Sequence, residues 1–302
     1  MKPKSLLGVT FVVIGLIGLY YVFANEGKLP LAGLHSVIGS EIQEQKKVEL
    51  DGIRHIEFES NSIDANFVRG ASEQAVFMLE GRATKSVMDN LTFDFTQDGD
   101  TLEVTLKRNN PFGFNWSSLK LTVALPEQQW GDLSIRLRSG DLQLEDQLFD
   151  NVNIASHSGD FEAERLTVAG ELSIDINSGD IFVKDFTAEL VTFDVSSGDV
   201  HLKDGTAAYK GSTSSGDITI EVEELLYDSE LEASSGDITV KLDRDPESLA
   251  VQFRAGSGDG VISKKGFTYD RGAQGERHIE GAFGNGDVLL QAETGSGDFV
   301  LR

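Results

Sequence analysis

INSGDIFVKD, Ile176 to Asp185, holds the architecture of the chain in ten residues: an apolar alternation, a Ser-Gly pivot, an Asp, and a second alternation. Aligned on that Asp, the phrase recurs at Asp141, Asp160, Asp180, Asp199, Asp217, Asp237 and Asp259, in steps of 19, 20, 19, 18, 20 and 22 residues. Asp287, inside GNGD, and Asp298 extend the series. A period near twenty marks a solenoid or an array of repeated units.

The apolar positions around the Asp are more regular than the phrase. Eight, six and four residues before it stand Leu133, Ile135 and Leu137, then Leu172, Ile174 and Ile176, then Val191, Phe193 and Val195. One and three residues after it stand Leu142 and Leu144, Ile181 and Val183, Val200 and Leu202. Each repeat therefore reads as two half-buried strands joined by a tight turn. The interval from the last apolar position before the Asp to the first after it is odd, which would put the two sets on opposite faces of a straight strand. The chain must bend there. Glycine supplies positive φ at no steric cost, and the Asp carboxylate can accept a hydrogen bond from a turn amide.

Two architectures meet these constraints. In a meander of hairpins, Ile176 faces Ile181 and Ile174 faces Val183. In a parallel β-helix the same bend is a corner, each repeat is one coil, and equivalent residues stack in columns about 4.8 Å apart. Near-equal repeat lengths favour an all-β, single-stranded parallel β-helix (β-solenoid) of about twenty-residue coils. Stacked carboxylates about 5 Å apart in water repel by about 0.8 kcal/mol, less with salt, which is tolerable if each also holds an amide. The Asp column is therefore read as structural. A row of calcium ions would need about 6–8 oxygens around each ion.

Outside the repeats, Ile56 and Phe58 precede Asp64, and Ala65 and Phe67 follow it, as in an early coil whose turn lacks glycine. Between Leu91 and Leu125 the alternations LTFDF, TLEVTL and LKLTVALP predict longer strands, with Asp98-Gly99 as a turn. The pattern falters at Gly260, where an apolar residue is expected, and Lys264 to Arg277 is expected to loop out of the last coils.

At the start of the chain, Ser5 to Ala24 carries no charge and follows Lys2 and Lys4. A helix of that length spans the ~30 Å hydrocarbon layer, with the lysines kept in the cytoplasm. A cleaved signal peptide is the competing reading, since Val22 and Ala24 offer a small-residue site, but the apolar run exceeds the usual ~7–15 residue core. The expected organisation is a transmembrane anchor over 1–25, a stalk over 26–47 and an extracytoplasmic β-helix over 48–302. The expected localisation is the cell membrane, single-pass, with the N-terminus cytoplasmic and the main domain outside. The 302 residues carry a net charge of −24, and leaving out Lys2 and Lys4 makes the outward part −26. Such a surface repels nucleic acid and anionic lipid heads, but leaves divalent cations and basic partners open. The absence of Cys excludes disulfides, thiolate metal sites and thiol nucleophiles.

The stretches GDTLEV (Gly99 to Val104) and LTVALPE (Leu121 to Glu127), followed by the SGDL, SGDI and SGDV phrases, resemble the bacterial putative-adhesin family, also called toastrack. With its N-terminal anchor the chain is similar to LiaG-type envelope proteins of Gram-positive bacteria. The resemblance covers His55 onward. It implies a single-stranded β-helix outside the membrane, a role in envelope stress or surface interaction, and no established catalytic residues.

Signals for chemistry are few. His35, His55, His157, His201 and His278 show no metal-type spacing, and neither a nucleophile elbow nor a phosphate loop occurs. Equivalent carboxylates at turns do not provide the paired, differently tuned acids that glycan cleavage needs. No catalytic, cofactor-binding or metal residue is assigned, and no cofactor is expected. Asn110 to Ser118, NPFGFNWSS, places Phe112, Phe114 and Trp116 at alternate positions, as a partner-binding tip or as a cap over the open end of the helix. The expected function is a non-enzymatic binding or structural module of the envelope, its partner an envelope protein or a cell-wall or membrane component. A calcium-dependent surface adhesin and a carbohydrate-active β-helix enzyme are the alternatives.

Overall fold

The computed structural model describes residues 40–109 and 117–302. The expected anchor, the stalk as far as residue 39, His35 and the aromatic segment 110–116 lie outside the described residues. Among the described residues no helix is long and apolar enough to cross a membrane.

The chain opens with β1 (Ser40–Val48), β2 (His55–Ser60), β3 (Asp64–Gly70), β4 (Ala75–Ala83) and a one-turn helix, α1 (Lys85–Met88). There follow β5 (Leu91–Asp98), β6 (Thr101–Arg108), β7 (Ser117–Pro126) and β8 (Trp130–Leu137). The regular coils are β9 (Leu142–Ser156), β10 (Phe161–Val168), β11 (Glu171–Ser178), β12 (Ile181–Ser197), β13 (Val200–Ser215), β14 (Ile218–Val222), β15 (Ser229–Ser235) and β16 (Ile238–Leu242). The last elements are β17 (Leu249–Ser257), β18 (Gly260–Ile262), β19 (Thr268–Arg271), β20 (His278–Phe283), β21 (Val288–Ser296) and β22 (Phe299–Leu301).

Pairing between repeats is parallel and coil to coil, which selects the solenoid over the hairpin meander. Ile176 pairs with Val195 of the next repeat, and Ile181 with Val200; neither faces the other across a hairpin. Two walls result. The first, built from the strands before each Asp, runs β6, β2, β8, the second half of β9, β11, the second half of β12, the second half of β13, then β15. The second, built from the strands after each Asp, runs β7, β3, the first half of β9, β10, the first halves of β12 and β13, then β14 and β16. Alternate residues of both walls point inward. Ile135, Ile154 and Ile174 of the first and Leu144, Val183 and Leu202 of the second are all buried in one continuous core.

At the second bend of the coil, five residues after the Asp, Asp146, Arg165, Asp185 and Asp204 adopt left-handed backbone with φ of 51–55°. This conformation costs a residue with a Cβ about 1 kcal/mol or more. It lets β9, β12 and β13 turn the corner without a break in strand geometry. Charge holds the place: the Arg165 guanidinium lies against Asp146 at 2.7 Å, against Glu164 at 2.8 Å, and against Glu145.

Both ends of the stack are closed by antiparallel strands, which protects edges that would otherwise template pairing with another chain. On the early side β1 pairs with β4, β4 with β7, and β5 with β6. Residues 40–47, read from sequence as the end of the stalk, thus form a strand that runs on to Val48. Their apolar content is low and the inward face only half-buried, so alternation alone did not reveal it. On the late side β20 runs antiparallel to β17 and carries β19, so the segment 264–277 leaves the coil and returns as part of the closure. The missing side chain at Gly260 is supplied by neighbours, since a Cβ there would lie 2.6 Å from both Phe253 and Ile279.

The coils do not stack in chain order. The segment 288–302 slots between two earlier coils: β21 pairs with β15 on one side and β17 on the other, and β22 pairs with β16 and β18. The repeat of Asp259 therefore rests on that of Asp298, which rests on that of Asp237.

Candidate functional site: the aspartate file and the outer faces

The aspartates form a single file. In each step the backbone N–H of one Asp donates to Oδ1 of the Asp on the preceding rung: Asp141 to Asp64, Asp160 to Asp141, Asp180 to Asp160 and Asp199 to Asp180, at 2.8–3.0 Å. The file continues from Asp217 to Asp199, Asp237 to Asp217, Asp298 to Asp237 and Asp259 to Asp298, each at 2.8 Å. The donor is the amide of the next coil rather than one within the same turn. Charge-assisted bonds of this kind, one per rung, offset the repulsion between carboxylates that stacking imposes. The residue after each Asp adds a parallel bond, as in Leu142 N–H to Asp160 O at 2.9 Å and Ile181 N–H to Asp199 O at 2.8 Å.

Glycine is required beside the file for two reasons. At Gly198 φ is +145°, and a Cβ would sit 1.9 Å from the carbonyl oxygen of Gly179 on the rung below. The corners approach too closely for any side chain. Asp64 belongs to the file although its turn has no glycine, as the alternation around it predicts. Asp287 does not belong: its N–H takes the Ser248 hydroxyl at 2.9 Å, and its carboxylate bonds the same hydroxyl at 2.8 Å. GNGD carries two left-handed glycines, Gly284 and Gly286, and together they reverse the chain instead of passing it to the other wall.

With one carboxylate oxygen of every rung but the terminal one, Asp259, committed to an amide, the file works as architecture. Among the described residues no three His, Asp or Glu side chains converge as a metal site would require. Calcium at about 1 mM, enough to fill the weaker extracellular class of site, is expected to leave the melting temperature within about 1 °C of its value in chelator. Differential scanning calorimetry checks this, and a rise of several degrees would mean that the file loads cations.

The histidines are dispersed. His55 lies between Asp100 and Asp132 and accepts the Asp132 N–H at 2.9 Å; His201 packs edge-on against Phe182; His278 bonds Glu280 at 2.7 Å. His157 is bonded to Asn177, at 2.8 Å.

The outer face of the second wall is a ladder of alternating charge. Lys184 reaches Glu164 at 3.4 Å and Asp185 at 3.3 Å, while Glu221 is flanked by Lys203 at 3.8 Å and by Lys241. The Lys241 ammonium, through its hydrogen bond, holds the Glu221 carboxyl below the usual glutamate range, and Arg165 does the same for Asp146. Around Gly211 the outer face of the first wall forms an open cleft of about 440 Å³ rimmed by Asp175, Asp194, Lys210 and Glu232, with Lys210 held by Glu230 at 2.8 Å. Gly211 is obligatory for packing, because a Cβ there would lie 2.4 Å from the Phe193 ring of the neighbouring rung. No signal in the linear sequence marks this cleft, since its rim comes from successive rungs.

These features define a class: a parallel β-solenoid with one corner built from glycine and an amide-bonded file of aspartates. The chain belongs to the toastrack family, since the Toastrack DUF4097 family matches residues 53–302. No curated protein matches it. Among solved structures, a putative adhesin from Bacteroides fragilis aligns at 14% identity over 87% of this chain and 97% of its own, with a TM-score of 0.52, and shares the fold. A putative adhesin from Parabacteroides distasonis aligns at 12% identity over 87% and 98%, with a TM-score of 0.46. A putative lipid binding protein from the same species aligns at 14% identity over 87% and 98%, with a TM-score of 0.45.

Proposed function

We propose that the chain is a membrane-anchored, extracytoplasmic, non-enzymatic binding module of the bacterial cell envelope. The observation that carries this reading is the use of the repeated acids: in each step of the file a carboxylate is bonded to a backbone amide, so the motif that dominates the sequence builds a rigid scaffold. What the scaffold offers to other molecules is its two long outer faces. Membership of the toastrack family supports the reading, and so does the name given to the Bacteroides fragilis structure of the same fold. The uncharged run from Ser5 to Ala24 behind Lys2 and Lys4 supports the anchor and its orientation. A LiaG-type place in envelope stress belongs to the same proposal.

Crosslinking in intact cells tests it. A photoreactive residue at Ser173 or Ser212, on the rim of the first-wall cleft, is expected to capture an envelope protein, a wall polymer or a membrane lipid. The same group placed at Thr219 on the opposite wall maps which face is used. Failure of every position to capture an envelope component would overturn the reading.

A further inference from the structure

We propose that a second cleft, at the early end of the first wall, binds a phosphate group of an envelope polymer or lipid. This inference rests on the reading of the chain as a binding module and names the chemistry of the ligand. The cleft has a volume of about 580 Å³ and is lined by Lys107, Arg136, Arg138 and His157 together with Glu59 and Asn61.

Register places these donors together. Leu106 pairs with Ser60, Ser60 with Leu137, and Leu137 with Ser156. The next residues along, Lys107, Asn61, Arg138 and His157, therefore stand side by side across four strands and form a row about 14 Å long. The backbone fixes the row: Arg138 N–H donates to Ser60 O and His157 N–H to Leu137 O, both at 3.0 Å. Asn61 clamps the neighbouring corner, its amide exchanging two 2.8 Å bonds with the backbone of Arg108.

The row contains no carboxylate. Lys107 is held by Glu59 at 2.7 Å, while Arg136 reaches Glu57 only at 3.5 Å. Arg138 has no acidic partner among the described residues. Asn177 Nδ2 donates to His157 Nδ1, which leaves the proton of the neutral ring on Nε2 and makes that nitrogen a donor. The cleft is thus a pocket of surplus donors in a chain with 26 basic and 50 acidic residues. On the second wall, by contrast, Lys184 is flanked by Glu164 and Asp185, and Arg165 by Glu145, Asp146 and Glu164. Two guanidinium forks, an ammonium and an imidazole N–H offer more donors than the two oxygens of a carboxylate can use. A phosphate group, with more acceptor oxygens and affinity for paired arginine forks, fits the set. The overall charge of the outward part, which argues against polyanion binding at long range, is screened beyond about 8 Å at physiological salt.

The test uses the full chain in nanodiscs of neutral phosphatidylcholine, titrated calorimetrically with glycerol phosphate. A second arm measures association with vesicles containing phosphatidylglycerol. Binding in either arm is expected to weaken about tenfold in Arg136→Gln and again in Arg138→Gln, each losing a charge-assisted fork. Arg54→Gln, whose partner is Asp150, should bind as the parent chain does. Binding confined to the vesicles assigns the phosphate to lipid; binding of glycerol phosphate in solution assigns it to a soluble or polymeric source. Absence of binding in both arms, or equal binding by the glutamine variants, overturns the proposal. If envelope crosslinks from the first-wall cleft persist in that case, the binding-module reading stands without it.

Discussion

Gly198→Ala is expected to destabilise the solenoid by about 3 kcal/mol or more, lowering the melting temperature by about 10 °C. Two penalties combine. With φ at +145° the backbone is in a region that side chains avoid, and the added methyl would lie 1.9 Å from the Gly179 carbonyl oxygen. Relief would require the two rungs to separate, which breaks the Asp199 N–H bond to Asp180 and the Gly179 N–H bond to the Ser197 carbonyl. Gly99→Ala separates strain from collision. Gly99 also has positive φ, +62°, but nothing lies within 4 Å of its Cβ position, so the cost there should be about 1 kcal/mol. Thermal melts followed by circular dichroism decide the matter. Equal losses at the two positions would show that the rungs are not as close as described.

Removal of residues 288–302 is expected to have the larger effect of the two. The deletion takes four buried apolar side chains, Leu290, Ala292, Phe299 and Leu301, and the buried Thr294 from between two coils. At about 1.5–3 kcal/mol for each large apolar side chain, the loss is about 5–9 kcal/mol. The gap is shaped like one coil, so the coil of Asp259 can move down onto that of Asp237, pairing Ser257 with Ser235 where Ser296 had stood between them. Cysteines introduced at Ser235 and Ser257 report the move, in a chain that has no others. Two rungs apart, at about 9.6 Å, they cannot form a disulfide; one rung apart, at about 4.8 Å, they can. The bond is expected in the shortened chain only. Its formation in the intact chain would mean that 288–302 leaves its slot spontaneously.

The period, the bends and the inward positions were legible because each is written locally and repeated. Leu133, Ile135 and Leu137 announce one coil, and the same spacing announces the next. The amide acceptor role of the Asp was legible too, although the donor proved to be the adjacent rung. Which coil touches which was not. Every Ser-Gly-Asp coil presents the same edge, so the placement of Asp298 between Asp237 and Asp259 depends on connections whose lengths permit more than one order. Asp287 was misassigned for a related reason: Ile279 and Phe283 before it and Leu290 after it satisfy the alternation, and only the second left-handed glycine distinguishes a reversal from a corner. The candidate clefts were illegible because residues such as Lys107, Arg138 and His157 become neighbours through register alone.

The out-of-order coil also sets a timetable for assembly. Ribosomal synthesis delivers residues 249–262 before 288–302, so the newly emerged chain passes through a stage in which the seat for the later segment is either vacant or wrongly filled. Where the seat is wrongly filled, completion demands that two neighbouring layers part and admit a third. Maturation should accordingly show a slow final phase after most strand signal has appeared, and the protein should be most vulnerable to proteases during that interval.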